Sequence, residues 1–291
     1  MIQKKYNIQE FIGKGKFGSV FLGENIYTKE KVAIKIEEHF SQISILKNET
    51  RILEYLSRNG LRTQIPQVFW FGIYNDIHYA LVMTHFSGKD LSLEYLKDDV
   101  ARIHHWFVSA IRILEKIHKY GVIHRDIKPA HFIFVVNKWV LIDFGFATFF
   151  QESESESISL ESEKTSEYII GTPNYISLNI HNGFKSTPID DIWSIVYIYI
   201  RILLPELFIF TTATSTSENI VEEYPSNHIL NIHNQIRKEK KELWNNPIFW
   251  ENKGKISILI KLLLSTKKKI PYTDICNVIQ TQQKNNINTI S

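Results

Sequence analysis

The segment Gly13-Lys14-Gly15-Lys16-Phe17-Gly18 constrains the fold more than any other stretch of the chain, because it runs on into strand sequence and not into a helix. A Gly-x-Gly-x-x-Gly pattern alone is weak, since glycine loops occur in dinucleotide-binding units and in plain turns. In a dinucleotide-binding unit the third glycine opens a helix. Here Ser19-Val20-Phe21-Leu22-Gly23 continues as β-branched and aromatic strand sequence. The loop is therefore the tip of a hairpin, able to cover phosphates through backbone N–H groups. Seventeen residues past Gly18 stands Lys35, inside Val32-Ala33-Ile34-Lys35. A lysine within an apolar strand costs free energy unless a partner compensates its charge.

Further apolar runs at Ile8–Ile12, Val68–Gly72 and Tyr79–Met83 have strand length and composition, and with the two above they predict a small antiparallel sheet. Between them Ile45, Glu49, Ile52, Leu53 and Leu56 share one helical face, which puts Glu49 on the apolar side as the partner for Lys35. The pair either ties helix to sheet or aims the lysine at the α- and β-phosphates of a nucleotide. The glycine loop upstream favours the second reading. From Leu91 onward the pattern is helical. Val100 to Tyr120 is amphipathic, with Asp98 and Asp99 as cap candidates and Gly121 closing it. Further helices are expected at about 189–204, stopped by Pro205, then at about 228–243, 255–264 and 272–280.

After the long helix comes His124-Arg125-Asp126-Ile127-Lys128-Pro129, succeeded by the strand-like Phe132-Ile133-Phe134-Val135. This reads as a catalytic loop. Asp126 can accept the proton of a substrate hydroxyl, and Lys128 can neutralise charge on a transferring phosphoryl group. Leu141-Ile142-Asp143-Phe144-Gly145 then places a carboxylate at a strand end. Asp143 is a candidate Mg²⁺ ligand, since a hard cation bridging phosphates prefers carboxylate oxygen. Each motif is short, but the order, spacings and element types are jointly specific.

Composition narrows the classes. The chain has 291 residues, 44% of them hydrophobic, enough for one large domain or two lobes. A single cysteine, Cys276, excludes a disulfide framework and a Cys-rich zinc module, which favours a reducing compartment. The start, MIQKKYNIQE, carries no apolar targeting run, so a cytoplasmic or nuclear location is expected. The longest apolar stretch, Ile195 to Phe210, is broken by Arg201, Pro205 and Glu206, so no membrane span is expected. Residues 151–167 hold six Glu and one Lys, and this segment's charge of −5 leaves the rest of the chain at +8 against a net +3. The basic body suits phosphate or acidic protein ligands. It lacks the aromatic-interleaved basic stripe that nucleic acid would need.

These motifs resemble the eukaryotic protein kinases over nearly the whole chain. Gly171-Thr172-Pro173-Asn174-Tyr175-Ile176-Ser177-Leu178-Asn179-Ile180-His181 is similar to the GTxxYxSxNxH segment of the casein kinase I family, and no Ala-Pro-Glu is present. Ile34-Lys35-Ile36-Glu37 and Asp190-Asp191-Ile192-Trp193-Ser194 resemble the same family. The resemblance implies a bilobal α+β fold: a β-rich N-lobe over 1–84, a hinge at 85–90, a helical C-lobe over 91–281 and a polar tail at 282–291. It implies ATP with Mg²⁺ and transfer to serine or threonine of protein substrates; a monomer is expected. Nucleotide contacts would come from Ile12, Gly13, Gly15, Gly18, Val20, Ala33, Lys35, Met83 as gatekeeper, Ile133 and Asp143, with Val20, Ala33 and Ile133 sandwiching the adenine and Thr84 to Gly88 lying beside it. Asp126, Lys128, Lys35, Glu49 and Thr172 would form the catalytic set, and Asp191 would anchor the catalytic loop.

The sequence also departs from that pattern. Kinases supply a second Mg²⁺ ligand from an Asn five residues after the catalytic Asp, and His131 stands there. An amide oxygen suits Mg²⁺, whereas imidazole nitrogen prefers softer metals such as Mn²⁺ or Zn²⁺. Either activity is weakened, shifted in metal, or absent, the last leaving a nucleotide-binding pseudokinase scaffold, or the Asp143 site does most of the work, with water completing the coordination and His131 merely tolerated. Asn174 and Pro188-Ile189 replace the basic residues that read a substrate phosphate, and Arg237, Lys238, Lys240 and Lys241 are the surviving positive charge for acidic substrates. His104, His105, His118, His228 and His233 are expected on helix surfaces. Ser153, Ser155, Ser157, Ser159 and Ser162 alternate with Glu in a loop too polar to bury a core, and they resemble a casein kinase I substrate.

Overall fold

The hairpin forms around the glycine loop as its sequence requires. In the computed structural model, which describes residues 1–15, 18–38, 44–91, 99–150, 169–205, 227–245, 250, 254–266 and 269–281, strand β1 (Tyr6–Gly15) turns back into β2 (Gly18–Asn25) with Gly15 opposite Gly18. Gly18 has no room for a side chain, because a Cβ would collide with the carbonyl oxygen of Ile36. Strands β3 (Lys31–Glu38), β4 (Val68–Tyr74) and β5 (His78–Thr84) complete an antiparallel sheet in the order β1-β2-β3-β5-β4. Alternation then divides β3 between two faces. Val32 and Ile34 join Ile2, Tyr6, Ala80 and Val82 in a buried cluster. Ala33 and Lys35 point the other way, opposite Met83 and Leu81 on β5.

Helix α1 (Ile45–Arg58) buries Leu46, Glu49, Ile52, Leu53 and Leu56. Its first turn is capped twice over. Ser44 Oγ accepts from the Lys47 amide at 3.2 Å, and the Glu37 carboxylate accepts from the amides of Ile45 and Leu46 at 3.1 and 2.7 Å. A second sheet, in the order β6-β8-β9, joins β6 (Lys89–Asp90), β8 (Phe132–Val135) and β9 (Lys138–Leu141).

Contacts along the chain define two units, Met1–Asp90 with Ala130–Thr148, and Leu91–Pro129 with Phe149–Ser291. The second is helical. Helix α2 (Val100–Lys119) starts where Asp99 Oδ1 accepts from the Arg102 amide at 2.8 Å, and it leads into the short strand β7 (Val122–Ile123). After α3 (Leu178–His181) comes α4 (Pro188–Leu203), opened by Pro188 and a Thr187–Asp190 capping box and buried along most of its length. Helices α5 (Asn227–Asn245), α6 (Gly254–Ser265) and α7 (Tyr272–Gln280) come next, and α2 packs on α4 and α7. The helix positions agree with the spacing of apolar residues to within about two residues. Among the described residues no helix is long and apolar enough to cross a membrane. Lys16, Phe17, Asp98, the acidic stretch with its serines, and the tail at 282–291 lie outside the described residues.

Candidate active site

In the first unit Lys35 Nζ donates to both carboxylate oxygens of Glu49, at 2.7 and 2.9 Å, and to Asp143 Oδ1 at 2.9 Å. Burial alone would lower the pKa of Lys35, but Asp143 and Glu49 outweigh it and raise it, so the ammonium stays charged. Glu49 Oε1 also accepts the amide of Phe144 at 3.1 Å, and Asn48 Nδ2 donates to the carbonyls of Gly145 and Ala147 at 3.2 and 2.8 Å. One face of α1 therefore holds both the strand lysine and the turn that carries Asp143.

Asp143 sits at φ +64°, a left-handed conformation that costs a residue with a Cβ and is typical of functional positions. Its Oδ2 lies 3.2 Å from His131 Nε2, and the Ile142 amide donates to the His131 carbonyl at 2.9 Å. Burial opposes ionisation of Asp143, yet Lys35 and His131 hold its carboxyl well below the usual range. The side chain remains 41% exposed, so a carboxylate oxygen is accessible to a cation. Among the described residues no cluster of three or more His, Cys, Asp or Glu is arranged around a metal ion. One accessible carboxylate fits Mg²⁺, which takes its other ligands from phosphates and water. His131 does not fit a second hard cation, because its donor is imidazole nitrogen.

The remaining nucleotide candidates divide by element. Val20 on β2 pairs with Lys35, Ala33 pairs with Met83, and Ile133 on β8 lies where a Cβ on Gly88 would meet its Cγ2 at 2.8 Å. Gly13 and Gly15 stay at the hairpin, with Ile12 preceding them on β1, 46% exposed.

In the second unit Asp126 is buried and its Oδ1 accepts from Thr172 Oγ1 at 2.7 Å, while Lys128 Nζ lies 3.5 Å from Asp126 Oδ2. Asp191, in the first turn of α4, accepts the amides of His124 and Arg125 at 2.8 and 2.9 Å and pairs with His118 Nε2 at 3.0 Å. Burial raises the pKa of Asp191, but His118 and the amides outweigh it and lower it. Arg125, at φ +69°, takes its strained conformation on that anchor. Neighbouring Asp190 works in the other direction: Oδ1 accepts from Ser177 Oγ at 2.6 Å and Oδ2 from the Thr187 amide at 2.7 Å. Adjacent carboxylates thus tie down the loop around Asp126 and the segment after Thr172. Gly171, at φ +111°, backs onto the Arg125 carbonyl at a distance that only glycine tolerates.

Two expectations are corrected. His118 and His233 are buried rather than on helix surfaces, His118 between Asp191 and the Tyr272 hydroxyl (2.6 Å), His233 against His181. Lys240 is not available to an acidic substrate, because it is 0% exposed and donates to backbone carbonyls. Residue type alone places such side chains in water, whereas here each finds buried partners.

The profile of the protein kinase domain matches residues 6–279. This chain belongs to the protein kinase domain family. The kinase domain is 28% identical over 212 residues to a probable serine/threonine-protein kinase of Dictyostelium discoideum, covering 69% of this chain and 41% of that protein. It is 31% identical over 214 residues to a casein kinase I homolog of Kluyveromyces lactis, covering 69% of this chain and 38% of that protein. The kinase domain therefore spans about two fifths of the curated relatives it matches.

Proposed function

We propose that this kinase domain transfers the γ-phosphate of ATP to serine or threonine hydroxyls of protein substrates, in the manner of casein kinase I. The observation that carries this reading is the 2.7 Å bond from Thr172 Oγ1 to Asp126 Oδ1, which joins the carboxylate of the catalytic loop to the casein kinase I-like segment 171–181. In this reading the hairpin glycines and Lys35 hold the nucleotide phosphates, and Glu49 keeps Lys35 aimed. Val20, Ala33 and Ile133 enclose the adenine, with Met83 behind it and Ile12 at the rim. Asp126 accepts the proton of the attacking hydroxyl, and Lys128 offsets charge on the transferred group. Asp143 holds Mg²⁺, which when bound neutralises phosphate charge. Thr172 orients Asp126. The likeness to a casein kinase I homolog and the absence of Ala-Pro-Glu support the finer assignment.

His131 favours a second reading, a nucleotide-binding pseudokinase that serves as a scaffold, since the second metal position lacks its amide oxygen. Incubation with γ-labelled ATP and a panel of acidic serine-containing proteins, with phosphoamino-acid analysis of the products, separates the two. Label on serine or threonine supports the kinase. ATP binding with no label on protein in either Mg²⁺ or Mn²⁺ supports the scaffold.

A further inference from the structure

Helix α5 buries His233, Ile236, Lys240 and Leu243, a stripe at i, i+3, i+7 and i+10 that sets a lysine amine in the interior. A buried cation is costly unless its donors are satisfied. Lys240 Nζ donates to the Pro173 carbonyl at 2.9 Å and to the Ile176 carbonyl at 2.6 Å, and it lies 3.3 Å from His181 Nε2. It also stands 4.3 Å from the centre of the Tyr197 ring. Two carbonyls, an imidazole nitrogen and an aromatic face thus surround Nζ, whose pKa burial pulls well below the ordinary lysine value. Burial, Lys240 and His233 pull the pKa of His181 well below its ordinary value, which favours the neutral imidazole, and its Nε2 also lies 3.2 Å from the Pro173 carbonyl. His181 Nδ1 then faces His233 Nδ1 at 3.3 Å.

The two carbonyls belong to one turn. The amides of Tyr175 and Ile176 both donate to the Thr172 carbonyl, at 2.9 and 3.2 Å, and Thr172 Oγ1 reaches Asp126. The Lys240 amine bridges two carbonyls of this turn, and the Thr172 hydroxyl at its start reaches Asp126. An apolar side chain at 240 would fill the space but take the amine from the Ile176 carbonyl, and leave the Pro173 carbonyl with His181 alone.

We propose that Lys240 is a positioning residue, a buried strut that fixes the Thr172–Ile176 turn and so sets where Thr172 holds Asp126 for the protein substrate. This rests on the kinase reading above, and the test separates the two. In the full chain, Lys240→Met is compared with Leu243→Ala, an apolar truncation on the same helix face that serves as the control for general loosening. Hydrogen exchange at the Tyr175 and Ile176 amides, which needs no activity, should accelerate at least tenfold in Lys240→Met and stay near the parent value in Leu243→Ala. Steady-state transfer should show the KM for protein substrate raised and kcat lowered about tenfold, with the KM for ATP within twofold of the parent. Lys240→Arg, which retains N–H donors, should recover most of both, and if Lys240→Met does not fold, Lys240→Gln takes its place against the same control. Unchanged exchange at the two amides overturns the strut, as does accelerated exchange with the protein-substrate KM unmoved. A parent that transfers no phosphate overturns the kinase reading alone, and the exchange result then decides for or against the strut.

Discussion

His131 Nε2 lies 3.2 Å from Asp143 Oδ2, and in the proposed kinase reading that imidazole stands where an amide oxygen would serve a second cation. Nitrogen in that place disfavours Mg²⁺ relative to Mn²⁺. The parent should work better in Mn²⁺ than in Mg²⁺. His131→Asn should raise kcat in Mg²⁺ by roughly tenfold, worth about 1.4 kcal/mol in the barrier, and erase the Mn²⁺ preference. Parallel metal titrations of both proteins check this; equal rates in all four conditions would show that His131 does not limit transfer.

Lys35 is bonded to two carboxylates, and its loss should remove nucleotide binding and also lower stability, because buried Glu49 loses its counter-charge. At a hundredfold excess of ATP over Kd, binding stabilises a protein by about 2.7 kcal/mol. Lys35→Met should show no ATP-dependent rise in Tm where the parent shows one of several degrees. A full rise in the variant would place the phosphates elsewhere.

Much of this arrangement is legible in the sequence. A glycine loop running into strand, an apolar-strand lysine and a helix-face glutamate predict the Lys35–Glu49 pair, which the fold forms at 2.7 Å. The strands Lys89–Asp90 and Val122–Ile123 leave no such signal, since they have two residues each and carry no periodicity. His118, His233 and Lys240 are hidden by type, since such side chains mostly face water. Lys240 has a readable signal nonetheless: it falls four residues after Ile236 and three before Leu243, inside an apolar stripe. The capping role of Glu37 is not legible, because its partners Ile45 and Leu46 lie eight and nine residues on, at the start of the next helix.

Acid should destabilise the second unit early. Burial first, and then Lys240, depresses the pKa of His233 from 6.5 to about 4, and His181 is pulled down as well. A base with a depressed folded pKa takes up its proton more readily in the unfolded chain. Its neutral form therefore supports the fold fully above about pH 6.5, and that support drains away as pH falls toward 4. Between pH 7 and pH 5 His233 alone should account for about 2 kcal/mol of lost unfolding free energy. Urea titrations of the parent and of His233→Phe should show the pH 5 deficit shrinking by that amount in the variant. An identical deficit in both would remove His233 from the account.

Asp191 holds two buried amides and one imidazole, so Asp191→Ala should cost about 3 kcal/mol or more in stability by removing the acceptor for the two amides and for His118 Nε2. Asp191→Asn keeps the shape and one acceptor, and should cost less than Asp191→Ala. Both should lower kcat, as the loop around Asp126 loses its anchor. Denaturant midpoints with initial rates measure the two effects; wild-type kcat in a folded Asp191→Ala protein would contradict the anchoring role.

The central claim, that Asp126 serves phosphoryl transfer to a protein hydroxyl, is tested most directly by single-turnover transfer from γ-labelled ATP to a serine-containing protein substrate, comparing the parent with Asp126→Asn at saturating Mn²⁺ and Mg²⁺. The expected result is phosphoserine or phosphothreonine in the parent and a rate lower by at least roughly 10²-fold in Asp126→Asn, with ATP binding unchanged. Transfer at the parent rate in Asp126→Asn, or no transfer by the parent in either metal, would contradict it.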